Sequence, residues 1–262
     1  MGNDRLSLKN LARKFLPRRI YAPLRVIADP ELFADIEFAT YNQDRLLTQN
    51  NCDFIRDKRF ALAYSKGEAT DSWWNVPIHW RIHVMFWAAT RALGLEGDFV
   101  ECGVNRGGFS RAIMEYIGFR ELKGRKYYLL DTFNGLVDEL ISEEERKNGI
   151  RAGQYDECFD DVKETFKDFD NVVLIRGIVP DTLPMVNAEK VCYLSLDMNC
   201  AKPEIEAVEY FWDKLVSGAA VIMDDYGFTE YAIQKREYDR FAERKGVPIL
   251  SLPTGQGLMI KP

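Results

Sequence analysis

One stretch constrains the fold of this chain more than any other: an apolar run over 98–104 that leads into a glycine turn and then a helix. The run is short and largely apolar, which is typical of a buried parallel strand. Gly107 and Gly108 allow the backbone to turn sharply and to approach a ligand closely, and the apolar spacing over 110–117 predicts a helix. Such a unit places free N–H groups at the carboxyl edge of a sheet, where nucleotide-like ligands bind. The alternative is a turn whose glycines serve packing only.

The rest of the chain alternates strand and helix patterns. Strands are predicted at 126–131, 172–176, 191–197, 218–225, 248–252 and 257–261, and helices at 77–93, 160–169, 203–215 and 229–245. This alternation predicts an open α/β sheet with helices on both faces, built by a main domain over 77–262.

Residues 1–76 are expected to form a basic arm and a helical cap. The segment 5–25 carries seven basic and no acidic residues, so an amphipathic helix here would lie on an anionic membrane or contact a partner. The alternative is a solvated or subunit-contacting arm, as in a homo-oligomer. Helices are expected at 30–38 and 41–57. Trp73 and Trp74 would either stack on a sugar ring or pack into the core.

Composition narrows the function classes. The net charge of −6 argues against a general nucleic-acid binder. Five cysteines without a Cys-x-x-Cys pair suggest reduced thiols in a cytoplasmic protein. Two histidines, His79 and His83, are too few for a typical zinc site. They share a helix face, where either would act as a general base or, alternatively, pack into the protein.

Acidic and polar residues follow two further strands. Asp131 ends the second strand and is placed to accept hydrogen bonds from ribose hydroxyls, or else to cap a helix or anchor a loop. Arg176 and Gly177 end the third strand, either near an adenine or in an ordinary turn. The charged segment 138–155 is interpreted as a mobile lid or a solvated surface helix.

Three carboxylates are expected to converge at the same sheet edge. Asp197 ends the fourth strand, and Asp224 and Asp225 end the fifth. Carboxylates this close repel each other unless protons or a cation neutralise them, and oxygen ligands suit magnesium or calcium. A metal there would lower the pKa of a substrate hydroxyl. The alternative is that the Asp pair caps a helix or holds a loop.

Three motifs in this order, 101–108, 131–136 and 224–227, resemble the macrocin O-methyltransferase family over about 77–262. The resemblance implies a Rossmann-like, mostly parallel sheet with an antiparallel last strand. It also implies methylation of sugar hydroxyls, mostly on antibiotics, with S-adenosylmethionine (SAM) and magnesium. By resemblance, Glu101, Gly103, Ser110 and Asp131 line the SAM site, and Asp197, Asp224 and Asp225 hold the metal. To the predicted cofactor site we add Asn105, Gly107, Thr132, Phe133, Arg176 and Gly177.

One position departs from the family pattern. The family usually has Leu-Asp-x-Asp-x-Tyr at the fourth strand, with the second Asp as general base, whereas this chain has Asn199 there. An amide accepts no proton at neutral pH. The base is therefore another group, with His79, His83, Glu204 and a metal-bound hydroxide as candidates, or the chemistry differs.

The sequence thus predicts a SAM-dependent O-methyltransferase acting on a hydroxyl of a sugar or glycoconjugate, cytoplasmic or membrane-associated through its arm. The alternative is a SAM-binding or scaffold protein of a glycan or natural-product pathway that has lost this chemistry. A different SAM-using or nucleotide-using enzyme on the same fold is a third reading, because fold does not fix function.

Overall fold

The computed structural model describes residues 38–262. The predicted basic arm over 5–25 and most of the predicted helix over 30–38 lie outside this range. A compact unit runs from Phe54 to Pro262. The division of the chain at residue 76 stays a prediction.

A hairpin replaces the helix expected over 41–57. Strands β1 (Tyr41–Gln43) and β2 (Leu46–Thr48) pair antiparallel. Asp44 and Arg45 join them with φ angles of 49° and 62°. Two-residue turns with positive φ at both positions match the twist of paired strands. The helix prediction was wrong because strands of three residues are too short to show an alternating pattern.

Seven strands in the described part of the chain form the central sheet. They are β3 (Asp98–Cys102), β4 (Tyr127–Asp131), β5 (Val172–Arg176), β6 (Val191–Leu196), β7 (Leu215–Met223), β8 (Leu250–Ser251) and β9 (Gly257–Ile260). Their order is β5-β4-β3-β6-β7-β9-β8, parallel from β5 to β7, with β9 antiparallel to both of its neighbours. The predicted mostly parallel sheet with an antiparallel last strand is confirmed.

Helices cover both faces of this sheet, as predicted. The α-helices of the described residues are α1 (Lys58–Glu68), α2 (His79–Ala92), α3 (Gly108–Ile117), α4 (Glu143–Lys147), α5 (Phe159–Phe166), α6 (Ala201–Trp212) and α7 (Ala232–Lys245). One core cluster joins α1, α2, α3 and α5 to one face, and a second joins α6 and α7 to the other. Phe99 and Val100 fall in different clusters, because successive side chains of a strand point to opposite faces. Within residues 38–262, no helix is both long and apolar enough to cross a membrane.

The order in which successive strands are added to the sheet reverses at β3, in the centre of the sheet. It adds β4 and then β5 on one side of β3, and returns to place β6 on the other side. Ligands of open α/β sheets bind beyond the carboxyl ends of the strands at such a switch point. A ligand site is therefore expected at the loops that follow β3 and β6.

Candidate active site

Gly103 lets the ends of β3 and β6 come together. Its φ is 87°, and a Cβ atom at this position would lie 1.9 Å from the backbone oxygen of Asp197. The Asp197 N–H donates to the carbonyl of Cys102 at 2.9 Å. A glycine is required here both for its left-handed conformation and for this close approach.

Asp131, at the end of β4, anchors the loop that follows β3. Its Oδ2 accepts the N–H groups of Val104 and Asn105 at 2.6 and 2.8 Å, and its Oδ1 accepts the N–H of Phe133 at 2.7 Å. This is the loop-anchoring role considered above. Its role as a ribose ligand stays a prediction.

Glu101 lies in β3 with no exposed surface. Its Oε2 accepts a hydrogen bond from the Tyr127 hydroxyl at 3.2 Å, whereas its buried Oε1 accepts none from residues 38–262. Burial raises the pKa of Glu101 to about 8, opposed by the Tyr127 hydrogen bond and reinforced by the charge of Asp131. A buried carboxyl oxygen without a donor fits a site that a ligand donor completes.

The remaining residues of the glycine loop pack closely against the protein. Asn105 has a φ of 49°, and a Cβ at Gly107 would lie 2.6 Å from the ring of Phe166. Ser110 is buried, and its hydroxyl donates to the Gly107 carbonyl at 3.4 Å. Gly107 therefore allows close packing against Phe166. Contact of these residues with a cofactor stays a prediction.

The loop after β4 and the end of β5 meet beside Asp131. The Thr132 hydroxyl donates to Gly135 at 2.7 Å, and the Gly177 N–H donates to the Asp131 carbonyl at 2.9 Å. Phe133 is buried, and its ring lies 5.1 Å from that of Phe159. The Arg176 guanidinium lies 4.9 Å from the same Phe159 ring. The structure thus places Thr132, Phe133, Arg176 and Gly177 near Asp131, and their contact with a cofactor stays a prediction.

The three predicted metal ligands converge. Asp197, Asp224 and Asp225 each present a carboxylate oxygen, and these oxygens lie within 4.8 Å of one another. Burial raises the pKa of both Asp197 and Asp225, and the neighbouring charge of Asp224 raises them further. The donor set is entirely carboxylate oxygen, which fits a hard divalent cation such as Mg²⁺.

Asn199, the departure from the family pattern, lies within this cluster. Its amide nitrogen donates to Asp197 Oδ1 at 3.2 Å and also to Asp225 Oδ2. Its amide oxygen accepts the hydroxyl of Tyr155 at 2.5 Å, which sets the orientation of the amide. The φ of 53° suits asparagine, which tolerates this region better than most residues. Here Asn199 bridges two carboxylates as a donor.

Sequence reasoning missed two residues that reach Asp224. The Arg81 guanidinium of α2 lies 2.6 Å from Asp224 Oδ2, and Gln256 donates to Asp224 Oδ1 at 3.0 Å. Arg81 lies on α2, which packs one face into the core, and Gln256 lies in the last turn before β9. Neither carries a local signal, because both depend on contacts far apart in sequence.

Glu204 supports the loop that carries Asn199. Its Oε1 accepts the Met198 N–H and the Gln234 side chain, each at 2.8 Å, and its Oε2 accepts the Tyr238 hydroxyl at 2.9 Å. Burial raises the pKa of Glu204 to about 7, while the Met198 hydrogen bond lowers it. These contacts make Glu204 a positioning residue for the loop after β6.

The two histidines lie in an aromatic cluster. The His79 ring stacks on Tyr64 at 4.2 Å, and the His83 ring stacks on Phe54 at 4.1 Å. Burial lowers the pKa of both. From the same helix, it is Arg81 that reaches the carboxylates. These contacts match the packing role considered for the histidines, and their role as a base stays a prediction.

Comparison with known proteins identifies the family. The model of the macrocin O-methyltransferase (TylF) family matches residues 85–249, which is more than half of the chain. The chain therefore belongs to this family of methyltransferases, and the resemblance found in its three motifs is confirmed.

Curated relatives of the chain are named as O-methyltransferases of natural products, one of them a rhamnosyl compound. The chain is 29% identical over 148 residues to a tetracenomycin-C rhamnosyl 4'-O-methyltransferase of Streptomyces olivaceus, a match that covers 51% of this chain and 54% of that protein. It is 26% identical to the mycinamicin III 3''-O-methyltransferase of Micromonospora griseorubida, covering 51% and 56%. The chain spans about half the length of the curated relatives it matches.

Solved structures show the same fold. The O-methyltransferase NovP aligns with a TM-score of 0.60 at 20% identity, covering 69% of this chain and 79% of that one. CalS11, a calicheamicin methyltransferase, aligns with a TM-score of 0.54 at 18% identity, covering 88% and 93%. The Rossmann-like methyltransferase fold is thereby confirmed.

Proposed function

We propose that this protein is a SAM-dependent O-methyltransferase acting on a hydroxyl of a sugar or glycoconjugate, with a divalent cation at Asp197, Asp224 and Asp225. The observation that carries the proposal is the carboxylate cluster beside the glycine loop, at the switch point of a family methyltransferase sheet. The relative named for a rhamnosyl tetracenomycin supports a sugar as the acceptor, and both relatives named above are O-methyltransferases.

The site has two halves with different proposed roles: the loop after β3 with Asp131, and the carboxylate cluster. The loop after β3 and the Asp131 region would hold SAM, and the Glu101 oxygen without a donor fits a hydrogen-bond donor of the cofactor. A divalent cation bound at the cluster would bind the acceptor hydroxyl and acidify it. The chain's own contribution is to hold the acceptor oxygen and the methyl carbon in line, and positioning of this kind accounts for much of such a rate enhancement.

The close packing between the two halves supports this arrangement. Gly103 holds the end of β3 against Asp197, so the predicted cofactor loop and the carboxylate cluster are fixed to one another. A variation in either strand end would move a methyl donor relative to an acceptor. Such fixed spacing is what transfer between two bound substrates requires.

Asn199 favours a second candidate function, a SAM-binding protein that has lost transferase chemistry. Its amide donates to two carboxylates where the family usually has a base, so it holds no site for the acceptor proton. His79, His83 and Glu204 make contacts within the protein that do not favour a base role.

Methyl transfer from isotopically labelled SAM to a panel of glycosides tests the proposal. We expect label in a glycoside in the presence of Mg²⁺, and loss of this transfer in Asp224→Ala. Glu209→Ala is the matched control, because Glu209 on α6 is a half-exposed carboxylate paired with Arg244 of α7. Binding of SAM without transfer to any glycoside would favour the second candidate, and full transfer by Asp224→Ala would refute the role of the metal.

A further inference from the structure

Two adjacent tryptophans before α2 face opposite environments. Trp73 is buried, and its ring lies 5.0 Å from that of Tyr64 and 6.1 Å from that of Phe109. Trp74 is 61% exposed. Its φ of 47°, followed by a φ of 61° at Asn75, turns the chain so that one ring enters the core and the next does not. Such φ values are uncommon for bulky residues and need support from the surrounding structure.

The exposed ring is connected to the carboxylate cluster through two side chains, Tyr155 and Asn199. The rings of Trp74 and Tyr155 lie 5.4 Å apart at an angle of 35°. The Tyr155 hydroxyl donates to Asn199, which donates in turn to Asp197 and Asp225. An aromatic surface therefore leads from solvent to the carboxylates.

We propose that Trp74 and Tyr155 form an acceptor platform, on which a pyranose ring stacks while one of its hydroxyls faces the carboxylate cluster. The proposal rests on the proposed function, which places the acceptor oxygen at that cluster. The C–H face of a sugar is apolar and its rim is polar, which suits an aromatic ring bordered by hydrogen-bonding groups. In EDTA, where no cation neutralises them, the three carboxylates at the inner end disfavour a negatively charged ring, so the platform then selects a neutral pyranoside over a uronic acid.

Exposure alone would not support this assignment, because single exposed apolar residues are normal on protein surfaces. Trp87 on α2 is such a case. It is 48% exposed and lies 5.1 Å from the Arg91 guanidinium of its own helix. Trp74 differs because its neighbour Tyr155 contacts the predicted catalytic centre.

Saturation-transfer NMR on the full chain with bound S-adenosylhomocysteine tests the platform. The probes are methyl α-L-rhamnopyranoside and methyl β-D-glucopyranoside, with methyl β-D-glucuronoside as the anionic comparison. We expect Trp74→Ala to weaken binding of the neutral probes roughly fivefold, which corresponds to about 1 kcal/mol at 1.4 kcal/mol per tenfold. Trp74→Phe should retain most of the binding, since it keeps a ring, and Trp87→Ala should bind as the wild type does.

The outcomes separate the platform from the function on which it rests. Equal binding by Trp74→Ala and the wild type, equal losses in Trp74→Ala and Trp87→Ala, or no binding of any neutral pyranoside by the wild type would overturn the platform. SAM affinity, measured by calorimetry on the same proteins, should stay within about twofold of the wild type in all three variants. Failure of the wild type to bind SAM would refute the proposed function instead.

Discussion

Replacement of Gly103 by alanine isolates the contact that holds the two halves of the site together. Two costs add at this position. A non-glycine residue in the left-handed region costs about 1–2 kcal/mol, and forcing an extra carbon into packed surroundings costs typically about 1–3 kcal/mol. The added Cβ would lie 1.9 Å from a backbone oxygen, which cannot rotate away as a side chain would. We therefore expect Gly103→Ala to lower the free energy of unfolding by about 2–5 kcal/mol.

Gly118 provides the matched control. Its φ is 65°, but a Cβ there would have no atom within 4 Å, so Gly118→Ala should cost only the conformational term of about 1–2 kcal/mol. Urea unfolding followed by circular dichroism measures both variants, and their difference isolates the close approach to Asp197. Equal unfolding free energies for the two variants would show that the strand ends do not meet as described.

Three further predictions concern charges near the site. Burial raises the pKa of Glu101 from 4.5 to about 8, so its burial is tolerated below pH 4.5, destabilises the fold increasingly as the pH rises from 4.5 to 8, and has a constant cost above pH 8. Between pH 5 and 8, the melting temperature of the wild type should therefore fall more steeply with pH than that of Glu101→Gln. Parallel melting-temperature profiles for the two proteins would contradict this. Arg81→Ala leaves the buried Asp224 without its positively charged partner, which should lower the free energy of unfolding in urea by about 3 kcal/mol. Added Mg²⁺ should restore part of this loss. An unchanged urea midpoint would contradict a stabilising ion pair between Arg81 and Asp224. Asn199→Asp removes a donor that bridges two carboxylates and adds a charge, so its melting temperature should fall in EDTA and rise with Mg²⁺ more than that of the wild type; an equal response to Mg²⁺ would argue against a cation at this cluster.

Much of the fold was predictable because its signals are local. Strand β5, at 172–176, was predicted with its observed bounds, since an apolar run between polar residues marks a buried strand. Helix α1 was missed although its signal is present. Asp57 accepts the Phe60 N–H as an N-cap, and Phe60, Ala63, Tyr64 and Gly67 are buried along one helical face.

The carboxylate cluster was predictable for a similar reason, since parallel strand ends meet at one edge of a sheet. The contacts that modify it were not. Tyr155 is 44 positions from Asn199 along the chain, and Arg81 is 143 from Asp224. No periodicity or motif marks such pairs, because they exist only after the sheet has assembled. The sequence alone shows that Asn199 departs from the family pattern. Its role as a donor to both carboxylates required the structure.

Calorimetric titration of the full chain with SAM, in Mg²⁺ and in EDTA, tests the proposed function most directly. We expect the wild type to bind SAM, and Asp131→Ala to bind it at least about tenfold more weakly, because that carboxylate orders the loop after β3 and is proposed to accept a charge-assisted hydrogen bond from the cofactor. Asp161→Ala is the control, since Asp161 pairs with Arg106 of the same loop but is largely exposed. Binding of Mg²⁺ by the wild type, and loss of that binding in Asp224→Ala, would support the proposed metal site at the carboxylate cluster. An absence of SAM binding by the wild type, or unchanged affinity in Asp131→Ala, would contradict a cofactor site at the glycine loop.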